Sequence, residues 1–438
     1  MGIFNAEAQR RRELVLLLLA AGFLFVNAAG LSLVRTGGIN GRFFTAPLIW
    51  LLLIGAAHLL LNWRLPQRDP LLLPLYALLS GWGLLLIDRL AANFLTRQTI
   101  WLGVATAGLV GITFLSQRHL SWLRRYRYSW LIGGLLLLTI TLYFGVNPSG
   151  FGAALWLPIP LSGQVFFQPS ELLKLLLIIF LASYFHEQHP LLRASRERGN
   201  RFVLPYLVPL LLMWGFCMVL LIWQQDLGAA TLFFVLFLCL LYLATGRKGY
   251  VLLGLGLLLL ASIVAYHLFA VVALRIDIWL NPWPEANNRA YQIVQSLYAL
   301  AAGGVLGTGI GQGFPNYIPV VHSDFAFAAL TEEWGLLGGL SVVVCFILLA
   351  YRGLRIAALA KRPFHTYLAA GITIMFSIQA LLIMGGVTRL LPLTGVTLPF
   401  VSYGGSSLLV SGVMMGLLIL LSAGSGEVAG WRGGEGAE

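Results

Sequence analysis

The sequence is organised as apolar runs about as long as a bilayer is thick. Residues 14–34 read LVLLLLAAGFLFVNAAGLSLV, and comparable runs recur along the 438-residue chain. A helix rises about 1.5 Å per residue, so a run of about 20 crosses a hydrocarbon layer about 30 Å thick. A soluble protein would have to cover all of these runs with polar surface, and a chain that is 59% hydrophobic and 10% charged lacks it. In lipid, every backbone N–H and C=O must be satisfied by the protein itself, which leaves helices or a closed barrel. The period-2 alternation and turn signals of a barrel are missing. The sequence therefore predicts an all-α polytopic membrane protein.

Twelve spans are predicted: 13–34, 44–62, 71–87, 99–117, 129–145, 171–186, 203–223, 227–245, 250–272, 326–351, 364–387 and 404–422. With the N-terminus inside, twenty of the 28 Lys and Arg face the cytoplasm. Seven face out (Arg35, Arg42, Arg89, Arg97, Arg275, Arg289, Arg389), and Lys174 lies within a span. That asymmetry predicts both termini inside. It also accounts for the net charge of +12, with anionic headgroups rather than nucleic acid as the counter-charge. Residues 10–30 mimic a signal peptide, but the run is long and further spans follow, so an uncleaved first helix is expected. Cys217, Cys239 and Cys345 all fall in apolar runs, without disulfide or zinc spacing, and read as small core residues.

Residues 1–68 form a two-helix extension with few polar groups, read as a packing module. A core of about ten spans follows over 69–424, then a cytoplasmic tail, 425–438. Three outer segments are unlike linkers: 146–170, the longest loop 273–325, and 388–403, whose apolar character suggests a re-entrant segment. All three face the same side, so chemistry is expected there. No internal repeat supports an inverted-repeat transporter.

The polar residues inside this apolar chain are the candidates for function. FQPSELLK puts Gln168 and Ser170 ahead of a helix that carries Glu171 and Lys174 three apart, on one face. The pair is either a structural ion pair or a site where Lys174 holds an anionic lipid phosphate and Glu171 orients it. Asp226, in WQQDLGAA, suits a helix N-cap. The glycines of AAGGVLGTGIGQG follow no strand, so they permit tight turns rather than bind a nucleotide. In VVHSDFAFAALTEEWG, Asp324 stands where the long outer loop meets a span; a helix cap is one role for it, and it is the sharpest candidate for chemistry. His322 reads as a solvated interface residue, and Glu332 and Glu333 as supports that pair across helices or cap polar groups. Ser402, Gly404 and Ser406, in LPFVSYGGSS, show no hydrolase elbow. The histidines lack metal-ligand spacing, and no metal site is expected.

These stretches together resemble the shape, elongation, division and sporulation (SEDS) family, which includes the RodA and FtsW proteins. FQPSELLK, QQDLGAA, YQIVQSLYALAAGGVLGTGIG, HSDFAFAALTEEWGLLG and LPLTGVTLPFVSYGGSSL occur in family order across roughly residues 69–422. The resemblance implies a core similar to GT-C glycosyltransferases, with two extra N-terminal helices. It implies a peptidoglycan glycosyltransferase of the cytoplasmic membrane that polymerises lipid II into β-1,4 glycan on the outer face and releases undecaprenyl pyrophosphate. A class B penicillin-binding protein would be the partner. The family's catalytic aspartate falls on Asp324 and its Glu–Lys pair on Glu171 and Lys174. Gln168, Ser170, Arg389, Ser402, Gly404 and Ser406 join that pair as candidate substrate contacts, with Asp226, Glu332, Glu333 and His322 in support. One departure is GAALW, with Leu155 where the family often has arginine before the tryptophan; Arg275, Arg289 or Arg389 is left to replace that charge. No tightly bound cofactor is expected, and Mg²⁺ or Mn²⁺ would accompany the substrate pyrophosphate. The rival readings are a lipid II flippase and a non-catalytic scaffold for the crosslinking enzyme.

Overall fold

The computed structural model describes residues 6–147, 153–159, 165–197 and 204–431. Parts of the outer segment 146–170, part of the segment after 186 and the last residues of the tail lie outside the described residues. In chain order the described residues form α1 (Ala6–Thr36), α2 (Arg42–Arg64), α3 (Leu72–Leu90), α4 (Leu95–Ile112), α5 (Gln117–Arg125), α6 (Arg127–Phe144), α7 (Pro169–Glu197) and α8 (Leu204–Trp223). Then come α9 (Leu227–Thr245), α10 (Lys248–Leu268), α11 (Ala270–Leu280), α12 (Tyr291–Gly303), α13 (Ala326–Leu359), α14 (Pro363–Val387) and α15 (Gly405–Trp431). Ten are long and apolar enough to cross a membrane. The other two predicted spans fall on α4 and α8, which are helical.

The chain divides into two compact units. Residues 1–114, 264–352 and 379–438 form the first; residues 115–263 and 353–378 form the second.

In the first unit, helices are joined by close backbone approach. Lipid is as apolar as leucine, so burial alone does not drive such contacts and small residues matter. A methyl on Gly412 would lie 2.7 Å from the Ala105 carbonyl oxygen, and one on Gly416 would strike that of Leu109. The spacing of four on both helices lays α15 along α4. The predicted extension does not stand apart, since α1 packs on α3 and α2 on α4. It is also more polar inside than expected. Arg68 Nη2 donates to Glu13 Oε1 (2.5 Å) and to Asn62 Oδ1 (2.9 Å), and Asn62 Nδ2 donates to His58 Nε2 (2.8 Å). His58 Nδ1 must therefore carry the proton that it shares with Glu13 Oε1 at 2.8 Å.

Two expectations are corrected here. The outer segment 273–325 is largely helical, built on α11, α12 and short 3₁₀ turns at Trp283–Glu285 and Pro315–Tyr317. Ile293, Val294, Ser296, Ala299 and Gly303 form the buried stripe of α12. The predicted span 326–351 is not one continuous helix, because Gly335 (φ 69°, ψ −168°) breaks α13. The glycine-rich stretch enters the break. Thr308 and Gly309 amides donate to the Glu332 and Glu333 carbonyls (2.9 and 3.1 Å), and Leu336 and Leu337 amides donate to the Gly304 and Val305 carbonyls (2.9 and 3.2 Å). A methyl at Gly303, Gly307 or Gly335 would strike that facing backbone.

Glu332 and Glu333 hold this loop. Glu333 Oε2 accepts from the Gly311 amide (3.0 Å) and Glu332 Oε1 from the Phe314 amide (2.7 Å). Arg89 Nε donates to Glu333 Oε1 (2.7 Å), and its Nη2 donates to the Gly313 carbonyl (2.8 Å). Glu333→Ala should therefore destabilise the protein by about 3–5 kcal/mol, since it strands a buried arginine. The measure is thermal unfolding in detergent, and an unchanged midpoint would mean that the loop is held by other groups.

Segment 388–404 is irregular and partly buried: Leu398, Phe400 and Val401 are at most 2% exposed. The carbonyls of Phe400 and Val401 approach Gly83, where a methyl would lie 2.8 and 2.6 Å away. Gly83 is seven residues from the end of α3, about 10 Å along its axis. Non-helical backbone at that level is tolerated because protein surrounds it.

In the second unit α7 is the central helix, with Leu173, Leu177, Ile178, Phe180 and Leu181 fully buried. Gly134 of α6 and Gly371 of α14 give it room, since a methyl on either would lie 2.8 Å from Leu173 Cδ1 or Ile178 Cγ2. The described part of 146–170 forms a small antiparallel ladder, Leu157–Pro158 against Phe166–Phe167, with Trp156 bridged to Val146.

Candidate active site

The candidate groups fall into two clusters, one in each unit. In the first unit Asp324 sits two residues before α13 and is half-buried. Its Oδ1 accepts from Ser323 Oγ at 2.8 Å. Among the described residues, no amide of the following helix donates to it and it forms no ion pair, so it is not a cap. Burial raises its carboxyl above the usual aspartate range, while the Ser323 hydroxyl and the charge of Arg275 pull it back down. A raised carboxylate that keeps some exposure is what a general base requires.

The backbone around Asp324 is clamped. Ser402 Oγ donates to the Ser323 carbonyl (2.6 Å) and accepts from the Leu398 amide (3.0 Å); the Tyr403 amide donates to the His322 carbonyl (2.9 Å). Segment 398–403 thereby fixes the chain that carries Asp324. The His322 ring lies 5.6 Å from the Tyr403 ring and 5.2 Å from the Phe94 ring; Phe94 and Tyr403 stack at 4.8 Å. Burial holds the His322 imidazole below its ordinary pKa. Gly404 has room for a methyl, and Ser406 is buried at the start of α15. Ser402 and Ser406 are thus buried, with Ser402 committed to the protein's own backbone.

Arg389 has a structural task. It adopts a left-handed backbone (φ 60°), its Nε donates to the Trp279 carbonyl (2.8 Å) and its Nη2 to the Leu280 carbonyl (2.6 Å). It caps the end of α11, beside an open cleft of about 500 Å³ that also involves Leu297 and Thr388. Arg289 is exposed. Arg275, which the sequence singled out only as one of three substitutes, is the arginine beside Asp324.

In the second unit Lys174 Nζ lies 2.6 Å from Glu171 Oε2, and both side chains are buried. The start of α7 is organised around the pair: the Glu171 amide donates to the Gln168 carbonyl (3.1 Å), and Gln168 Nε2 donates to Ser170 Oγ (3.1 Å). Asp226 caps α9 through the Ala229 amide (3.1 Å), with Gln225 in a left-handed turn before it. The Ser170 hydroxyl and the charges of Glu171 and Lys174 all act on Asp226. Gln168, Ser170, Glu171, Lys174 and Asp226 therefore form one polar cluster. Sequence separation concealed the link between Asp226 and the rest.

The chain matches the cell cycle protein family of FtsW, RodA and SpoVE over residues 71–426. It is 36% identical over 436 residues to the peptidoglycan glycosyltransferase RodA of Mycobacterium tuberculosis, covering 95% of this chain and 91% of that one. It is 33% identical over 375 residues to a probable peptidoglycan glycosyltransferase FtsW of Trichlorobacter lovleyi, covering 82% and 94%. A solved structure on the coordination of polymerization and crosslinking by a peptidoglycan synthase complex superimposes with a TM-score of 0.65 at 27% identity, covering 81% of this chain and 97% of that one. The rod shape determining protein RodA of Thermus thermophilus gives 0.57 at 25% identity, covering 81% and 96%. On sequence and architecture alike, this chain belongs to the FtsW, RodA and SpoVE family of cell cycle proteins.

Proposed function

We propose that this chain is a peptidoglycan glycosyltransferase that polymerises lipid II into β-1,4 glycan strands at the outer face of the cytoplasmic membrane, in company with a class B penicillin-binding protein. The observation that carries the reading is Asp324: a half-buried carboxylate with a raised pKa and, among the described residues, no ion-pair partner and no capping duty. Glycosyl transfer needs a base for the acceptor hydroxyl and cationic help for a departing lipid pyrophosphate. Asp324 takes the acceptor proton. Lys174, oriented by Glu171, holds a lipid-linked phosphate, with Gln168 and Ser170 setting the start of its helix. Asp226 and Ser402 hold the two clusters in shape. Mg²⁺ or Mn²⁺ would enter as a companion of the pyrophosphate. The glycan it makes serves cell elongation and shape or division.

A flippase would use intramembrane charges but no base, and a scaffold would need neither. The test is polymerisation by the purified chain with its crosslinking partner and lipid II in detergent, where flipping has no meaning. Long glycan strands are expected. A monodisperse complex that makes none would return the chain to the transport or scaffold reading.

A further inference from the structure

We infer that Arg275 receives the departing phosphate opposite Asp324, and that Gly395 keeps open the space between them. This rests on the reading of Asp324 as the base. Arg275 Nη1 donates to the Thr394 carbonyl at 3.3 Å, which anchors one edge of the guanidinium. A methyl on the next residue, Gly395, would lie 3.4 Å from Arg275 Nη2 and 3.6 Å from Asp324 Oδ2. The two groups thus flank one glycine without forming an ion pair. Their separation is roughly 4–7 Å, room for ligand oxygens held by hydrogen bonds of about 2.7–2.9 Å from either side. Gly395 also has φ +72°, where a side chain is strained.

Arg275 is the cation whose charge acts on Asp324, whereas Arg389 lies at the end of α11 and Lys174 belongs to the other cluster, beside Glu171. In the transfer the acceptor oxygen bonds to the anomeric carbon and its proton passes to Asp324. The bond from that carbon to the phosphate oxygen breaks, and its electron pair leaves with the polyprenyl pyrophosphate. Arg275 neutralises the charge that collects there, as a planar fork suited to phosphate.

The experiment measures inhibition of polymerisation by undecaprenyl pyrophosphate, using the full chain purified with its crosslinking partner. Arg275→Gln should slow polymerisation and weaken that inhibition, each by about tenfold or more, as expected for a lost charged hydrogen bond. The acid limb of its pH–rate profile should also move to higher pH, because Arg275 favours the ionised form of Asp324. Arg275→Lys should keep part of both functions. An unchanged inhibition constant and acid limb in folded Arg275→Gln would overturn the inference. If Arg275→Gln does not fold, Gly395→Ala decides: it keeps the guanidinium but fills the gap, and must weaken inhibition as well. Inactive Asp324→Asn alongside unaltered inhibition of Arg275→Gln would overturn the role of Arg275 alone. Near wild-type Asp324→Asn would overturn the base reading beneath it.

Discussion

Asp324→Asn should give a folded, partner-binding protein whose glycan synthesis falls by about 10²-fold or more, the loss expected when a general base is removed. Asn is nearly the size of Asp, accepts the Ser323 hydrogen bond through its amide oxygen, and caps helices as well as Asp does. A purely structural Asp324 would therefore tolerate the change. The measurement is lipid II polymerisation by the variant, checked for monodispersity. Near wild-type activity would move the search to Asp277, Glu285 and Asp226.

The second large effect is expected at the start of α7. Glu171→Ala and Lys174→Ala each leave a buried charge without its partner, at a cost of about 3–5 kcal/mol. Lys174→Ala also leaves Asp226 and Glu171 as two carboxylates without the cation that acts on both. It should be the more damaging of the two in activity and stability together. Exchanging the two residues restores opposite charges at i and i+3 but moves the ammonium away from its present position. Recovery of thermal stability without recovery of glycan synthesis is the expected outcome. Full activity in both alanine variants would show the pair to be idle.

Sequence and structure agree where one physical signal dominates. The spans are legible because about 20 apolar residues have few other uses, and each predicted segment falls on a helix, although 99–117 overruns the end of α4, 250–272 is divided at Phe269 and 326–351 at Gly335. Asp324, Glu171 and Lys174 stand out because charge is costly in such a chain. The break at Gly335 is another matter. Glycine within an apolar run is compatible with a continuous helix, and what opens this one is the facing turn of residues 304–309, whose register no local pattern encodes. α12 did carry a signal: the apolar spacing of Ile293, Val294, Leu297 and Leu300 is helical, though a long polar-flanked segment obscured it. The network of Glu13, His58, Asn62 and Arg68 was half-visible, since His58 and Asn62 are four apart on one helix. The approach of Arg275 to Asp324, and the use of Arg389 as a clasp on α11, depend on tertiary contacts between distant residues.

The central claim is that one carboxylate, Asp324, does the chemistry, and the pH dependence of polymerisation tests it most directly. Burial places its folded pKa above the usual aspartate range, and the base works only when ionised. Activity should therefore be full on the alkaline side and should fall about tenfold per pH unit once the pH drops below that raised pKa. The residual activity of Asp324→Asn should lack this limb. A wild-type rate that stays flat from about pH 8 down to about pH 4, in protein shown to remain folded, would contradict the account.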